Sequence, residues 1–153
     1  MCPAPLFHTD LQATLHHRAP VDRVFPLLCP VQEALWLPGW SAQILHSDSG
    51  VAELGCVFRT RDAEDCEHIW IVSRYEPAAG LIQFVQFLPG RCVLRLDIAV
   101  APEPGGCRSH WNYTVDGLVP APPDGFAAYA QAPFSARMAH LETSLASYLA
   151  TSR

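Results

Sequence analysis

The sequence predicts an α+β fold in which one antiparallel sheet meets one long C-terminal helix. Three observations predict it. About seven segments alternate apolar and polar residues, or form short apolar runs bounded by turn residues. Two short, proline-punctuated helical stretches follow the first of these segments. From Phe126 to Tyr148, apolar residues recur at spacings of four and three.

The first strand is predicted over Leu6 to His17, with Phe7, Leu11, Ala13 and Leu15 in near-alternation. Ala19-Pro20 ends it, because the residue before proline is pushed toward extended geometry. A short helix is predicted over Asp22 to Leu28, with Val24, Phe25, Leu27 and Leu28 apolar. A second follows within Cys29-Pro30-Val31-Gln32-Glu33-Ala34-Leu35-Trp36-Leu37-Pro38-Gly39-Trp40. Pro30 suits its first turn and Pro38-Gly39 stops it.

Six further strands are predicted. They are Ser41–His46, Gly55–Arg61, Glu67–Tyr75, Leu81–Leu88, Arg91–Val100 and one carrying Ser109, Trp111, Tyr113 and Val115 on a single face. The turns between them are short, which implies antiparallel hairpins. Glu67–Tyr75 and Leu81–Leu88 are apolar on both faces, and such strands are covered on both sides. A homodimer contact on the outer sheet face is therefore one expectation. After Pro120-Ala121-Pro122-Pro123, Asp124 is a candidate N-cap for the last helix. Phe126, Ala130, Phe134, Met138, Leu141, Leu145 and Tyr148 share one face, and Pro133 should kink the helix or restart it.

Composition narrows the function classes. The chain of 153 residues is read as one domain over 1–153, half apolar and only 16% charged, against ~25% in an average domain. All ten basic residues are arginines, so Schiff-base chemistry through a lysine and a P-loop are both excluded. A net charge of -5 argues against nucleic acid as a partner. No apolar run is long enough to span a bilayer, and Met1–Pro5 has no secretory pattern, so the reading is cytoplasmic. The six cysteines show no metal-ribbon spacing and read as reduced, mostly buried thiols. No two histidines stand at ligand spacing on one element, so no metal or other cofactor is expected. His110 falls on the polar face of the last strand and reads as exposed. There is no Gly-x-Ser-x-Gly elbow, and Cys29 reads as a helix N-cap rather than a nucleophile.

The element order, the Ala19-Pro20-Val21-Asp22-Arg23-Val24-Phe25 segment and the Trp111-bearing last strand resemble the START-like (SRPBCC) superfamily over nearly the whole chain. This superfamily includes lipid-transfer domains, plant pathogenesis-related proteins and aromatic polyketide cyclases. The Cys29–Trp40 segment is similar to a bacterial subgroup of it. The resemblance implies a helix-grip fold: a curved antiparallel sheet of about seven strands wraps the long helix, and the two short helices close a cavity between them. It implies binding of a small hydrophobic molecule such as a lipid, polyketide or aromatic metabolite.

Against that frame the residues expected to touch a ligand are Trp36, Trp40, Phe58, Leu94, Leu96, Trp111, Tyr113, Phe126, Phe134 and Met138. Glu33 stands one helical turn before Trp36, and a carboxyl beside indole rings has a raised pKa if desolvated. Glu33 and Tyr113 are thus the candidate proton-transfer groups of a cyclase, dehydratase or hydrolase. Whether the chain is an enzyme stays open at this level. A third alternative is a cavity-free domain that dimerises through its apolar sheet face.

Overall fold

The computed structural model describes residues 6–120 and 126–152. Seven antiparallel strands form one sheet: β1 (His8–His17), β2 (Gln43–His46), β3 (Val57–Arg61), β4 (Glu67–Glu76), β5 (Leu81–Leu88), β6 (Cys92–Glu103) and β7 (Gly106–Gly117). Their order across the sheet is β1-β7-β6-β5-β4-β3-β2. All neighbours after β1 are consecutive hairpins, as the short turns predict. Between β1 and β2 lie the one-turn helix α1 (Val21–Val24) and two 3-10 turns, Phe25–Leu28 and Gln32–Leu35. The long helix α2 spans Gln131–Thr151. The expected helix-grip arrangement of curved sheet, long helix and intervening short helices is observed.

The two short helices are tighter than expected. Pro26 lacks the amide an α-helix needs after its first turn, so α1 ends at Val24 and the chain tightens into 3-10 geometry. The second turn stops at Leu35, before Pro38-Gly39 is reached.

The last helix also departs from expectation. Phe126 adopts a left-handed backbone (φ 57°), a 3-10 turn covers Ala127–Tyr129, and Ala130 is extended. The helix starts only at Gln131, so Pro133 sits in its first turn, where the missing amide would have no intrahelical partner. Pro133 therefore accompanies a restart rather than a kink. Phe126 belongs to a separate element, and Asp124 lies outside the described residues. Phe134, Met138, Leu145 and Leu149 form the buried face of α2. Two polar contacts hold the helix, one at its middle and one at its C-terminal end. Glu142 accepts the His16 backbone N–H at 2.7 Å, and Arg23 donates to the Ser152 carbonyl at 2.9 Å.

Strand pairing is regular except at two places, one of them between Ile44 and His46 of β2. The β4–β5 register shifts between Val72 and Arg74. This bulge puts Ser73 and Arg74 outside and turns Tyr75 back against Phe25, at 6.0 Å between ring centroids. The β4–β5 turn needs Gly80, which has φ 68°, and a Cβ there would lie 2.3 Å from the Val100 carbonyl oxygen. On the outer face, Ile71 and Phe87 are both exposed beside Ile69 and Val85. The five described cysteines are free thiols, four buried and Cys66 exposed.

Candidate functional site

The inner sheet face and α2 do not meet everywhere. Between them, under the Pro30–Ser41 segment, lies a cavity of about 520 Å³. The inward side chains leave this space unfilled.

The apolar wall comes from inward positions of adjacent strands. Phe58 of β3 stacks on Trp70 of β4 at 5.6 Å, and both meet Phe84 of β5 edge-on at 6.1 Å. Leu94 and Leu96 of β6 continue the wall to Trp111 and Tyr113 of β7. Trp40 caps it from the crossover segment. Its indole N–H donates to the Pro30 carbonyl at 2.8 Å and its ring meets Trp70 edge-on.

Polar groups interrupt this surface at defined points. Glu33 lines the cavity, and no described residue hydrogen-bonds its carboxyl. The side chain keeps some accessible surface where it faces the cavity. Its enclosure still dominates, and burial pushes the carboxyl up to about 8. At neutral pH Glu33 is therefore mostly an uncharged acid that can donate. The Tyr113 hydroxyl is held well above the usual phenol range, chiefly by burial and further by Glu33, while Arg137 opposes the shift. Tyr129 is raised to about 12, again mainly by burial. Arg137 reaches the wall from α2, over the rings of Phe134 and Tyr113 at 5.5 and 6.0 Å.

A second polar feature crosses three chain segments. His68 lies 3.0 Å from Asp62 through Nε2 and 2.7 Å from the Gln86 amide nitrogen through Nδ1. Asp62 can only accept when ionised, so Nε2 carries the proton and Nδ1 accepts from Gln86. The hydrogen bond from His68 holds the Asp62 carboxyl below its usual range, helped by the Cys66 and Glu64 amides. Gln86 is thereby fixed, almost wholly buried, on the cavity wall.

The structure brings Trp40, Phe58, Leu94, Leu96, Trp111 and Tyr113 to the cavity with Glu33. It places four expected ligand contacts elsewhere. Trp36 is buried in the core, its indole N–H donating to the Leu27 carbonyl at 2.8 Å. Trp36 lies just past the 3-10 turn with a non-helical backbone (φ -127°, ψ -16°), so it does not share the face of Glu33. Phe126 stacks on Phe7 at 4.4 Å, because α2 starts only after it, at Gln131. Phe134 and Met138 are buried behind the wall, where Phe134 packs edge-on to Tyr113. Cys29 is not an N-cap: its sulfur accepts the Ala52 amide at 3.3 Å. His110 is exposed and bonds Thr14 at 3.0 Å.

Sequence reasoning missed Gln86, Tyr129 and Arg137, and it weighed His68 only among histidines not expected to form a metal site. Gln86 carried a signal, since it is the polar member of the inward series Ile82, Phe84, Gln86, Leu88. Tyr129 had none, because its placement depends on the helix restart. Among the described residues no cluster of histidine, cysteine and carboxylate could hold a metal ion. No described helix is long and apolar enough to cross a membrane.

Comparison with solved structures settles the architecture. Ara h 8.0201 superposes with a TM-score of 0.71 at 12% identity, covering 95% of this chain and 99% of its own. Norcoclaurine synthase from Thalictrum flavum gives 0.64 at 14% identity over 95% and 88%. The chain has a helix-grip fold. DynU16, from the dynemicin biosynthetic locus, gives 0.64 at 16% identity over 94% of this chain and 48% of that one. Identities this low show a shared helix-grip fold. No protein-family profile matches the chain, and no curated protein matches its sequence.

Proposed function

We propose that this helix-grip protein binds a small hydrophobic molecule in the cavity between sheet and α2. The observation that carries this reading is the cavity itself: about 520 Å³, walled by Phe58, Trp70, Phe84, Leu94, Leu96 and Trp111. That volume falls within the range of small-molecule sites, and flat aromatic walls favour a planar body over a flexible chain. A lipid, polyketide or aromatic metabolite of this shape fits the description. The test is native mass spectrometry of the protein purified from its own cells, with denaturing extraction of whatever is carried. An adduct lost on denaturation supports the reading and gives the ligand's chemical class. Unchanged tryptophan fluorescence and melting temperature across a broad set of apolar compounds would sink it.

One observation favours a catalytic version. Glu33, an acid raised to about 8 by burial, lines the same cavity as Tyr113 and helps to raise its hydroxyl. A carboxyl poised near neutrality suits proton transfer to or from a bound molecule. The fold admits catalysis, since norcoclaurine synthase shares it. Cyclase, dehydratase and hydrolase chemistry each need such a group. Unchanged turnover in Glu33→Gln and Tyr113→Phe would remove both residues from that role.

A further inference from the structure

We propose that the cavity's ligand is an apolar molecule carrying an anionic oxygen group, and that Arg137 binds this group. The inference rests on the ligand-binding reading above and adds the ligand's charge and the residue that selects it.

The charges on the cavity wall do not balance. Two arginines line the cavity, Arg61 and Arg137. Arg61 is occupied, with Asp65 and Glu67 both at 3.3 Å. Arg137 has no carboxylate within ion-pair distance among the described residues. Among the described residues its one hydrogen bond, to the Ala128 carbonyl, is long at 3.4 Å. A guanidinium offers five donors, so most of them are unspent.

The carboxyls on the wall cannot serve it. Asp62 is committed to His68 and to the backbone amides of Glu64 and Cys66. Glu33 carries no charge for Arg137 to meet at neutral pH, since burial keeps it protonated. A half-buried cation beside an apolar cavity is costly to leave unpaired. The Phe134 and Tyr113 ring faces compensate in part.

Neighbouring groups point the same way. Arg137 acts electrostatically on both the Tyr113 and Tyr129 hydroxyls. Both phenols stay protonated at neutral pH and can donate. Among the described residues the Tyr129 hydroxyl meets only the weak Cys92 thiol, at 3.9 Å. The Arg137 guanidinium and the Tyr113 and Tyr129 side chains all line this cavity, and a carboxylate, sulfonate or phenolate accepts from such donors through charge-assisted bonds.

The test uses two matched fluorescent probes on the full chain. One is 8-anilinonaphthalene-1-sulfonate; the other is N-phenyl-1-naphthylamine, the same ring system without the sulfonate. Both are titrated into the wild type, Arg137→Gln, Arg137→Lys and Arg108→Gln, an exposed arginine off the cavity wall. Melting temperatures check that each variant folds. We expect Arg137→Gln to weaken the sulfonate probe by about tenfold or more, as for other hydrogen bonds to a charged group, and the neutral probe by less than about twofold. Arg137→Lys should retain part of the difference, and Arg108→Gln should change neither. Equal weakening of both probes by Arg137→Gln, or no weakening of either, overturns the inference while leaving hydrophobic binding intact. If neither probe binds the wild type, the ligand-binding reading falls and takes the inference with it.

Discussion

Glu33 and Trp36 lie three residues apart on one short turn, yet they face different compartments. The Trp36 indole is sealed in the core against the Leu27 carbonyl, while the Glu33 carboxyl lines the cavity with no hydrogen-bond partner among the described residues. The same turn thus supplies an anchor and a reactive group.

The first consequence concerns pH. Glu33 has an ordinary value of 4.5 and a folded value of about 8. The folded state therefore holds this proton more tightly than the unfolded chain. Stability from this group is fully present below about 4.5 and is lost as pH rises toward 8. The slope cannot exceed ~1.4 kcal/mol per pH unit for one group. Glu33→Gln should match the wild type in melting temperature near pH 4.5 and exceed it increasingly up to pH 8. A constant difference across that range would show that the carboxyl ionises normally.

Trp36 should matter to stability and not to binding. Trp36→Phe leaves the Leu27 carbonyl without its donor and opens a void, at a cost of about 1–3 kcal/mol. Apolar-probe affinity should stay within about twofold once folding is controlled, a change smaller than one lost hydrogen bond. Urea unfolding and probe titration on the same preparation check this. Trp111 makes the contrast, since it lines the cavity. Its indole donates to the Ser109 hydroxyl at 2.8 Å, and Trp111→Phe should weaken binding as well.

The Asp62–His68–Gln86 chain should behave as one unit. Removing His68 strands the Gln86 amide on the buried wall, and removing Gln86 frees His68. A double-mutant cycle of His68→Leu and Gln86→Leu should show a coupling of about 0.5–1.5 kcal/mol. Additive effects would mean that the bond between them contributes nothing to stability.

Pro133 offers a test of the helix start. In mid-helix, a proline costs ~3 kcal/mol, so replacing it would stabilise the protein strongly. In the first turn of α2 it costs little, and Pro133→Ala should shift stability by less than about 1 kcal/mol in either direction. A large gain in urea resistance would place the helix start earlier than Gln131.

The sequence by itself determined the elements and their order. Strand alternation marks Phe58, Leu94, Leu96, Trp111 and Tyr113 as inward because the side-chain period of a strand is two wherever its register is regular. It also marks Glu33 as the exceptional carboxyl of its segment. Only the tertiary structure decided which inward residues meet empty space and which meet each other. Phe134 and Met138 share a face with the rest of α2, but periodicity carries no information on how far the sheet stands off at each turn. Trp36 and Phe126 depended on local geometry, a non-helical backbone at Trp36 where the 3-10 turn ends and a left-handed one at Phe126, which moved them off the expected face. Tyr129 and Arg137 reach the cavity because the chain breaks at Ala130 and restarts at Gln131. The fold is thus written in patterns a few residues long. The site is assembled from β3 to β7, the crossover and α2, and its chemistry depends on distances no local pattern encodes.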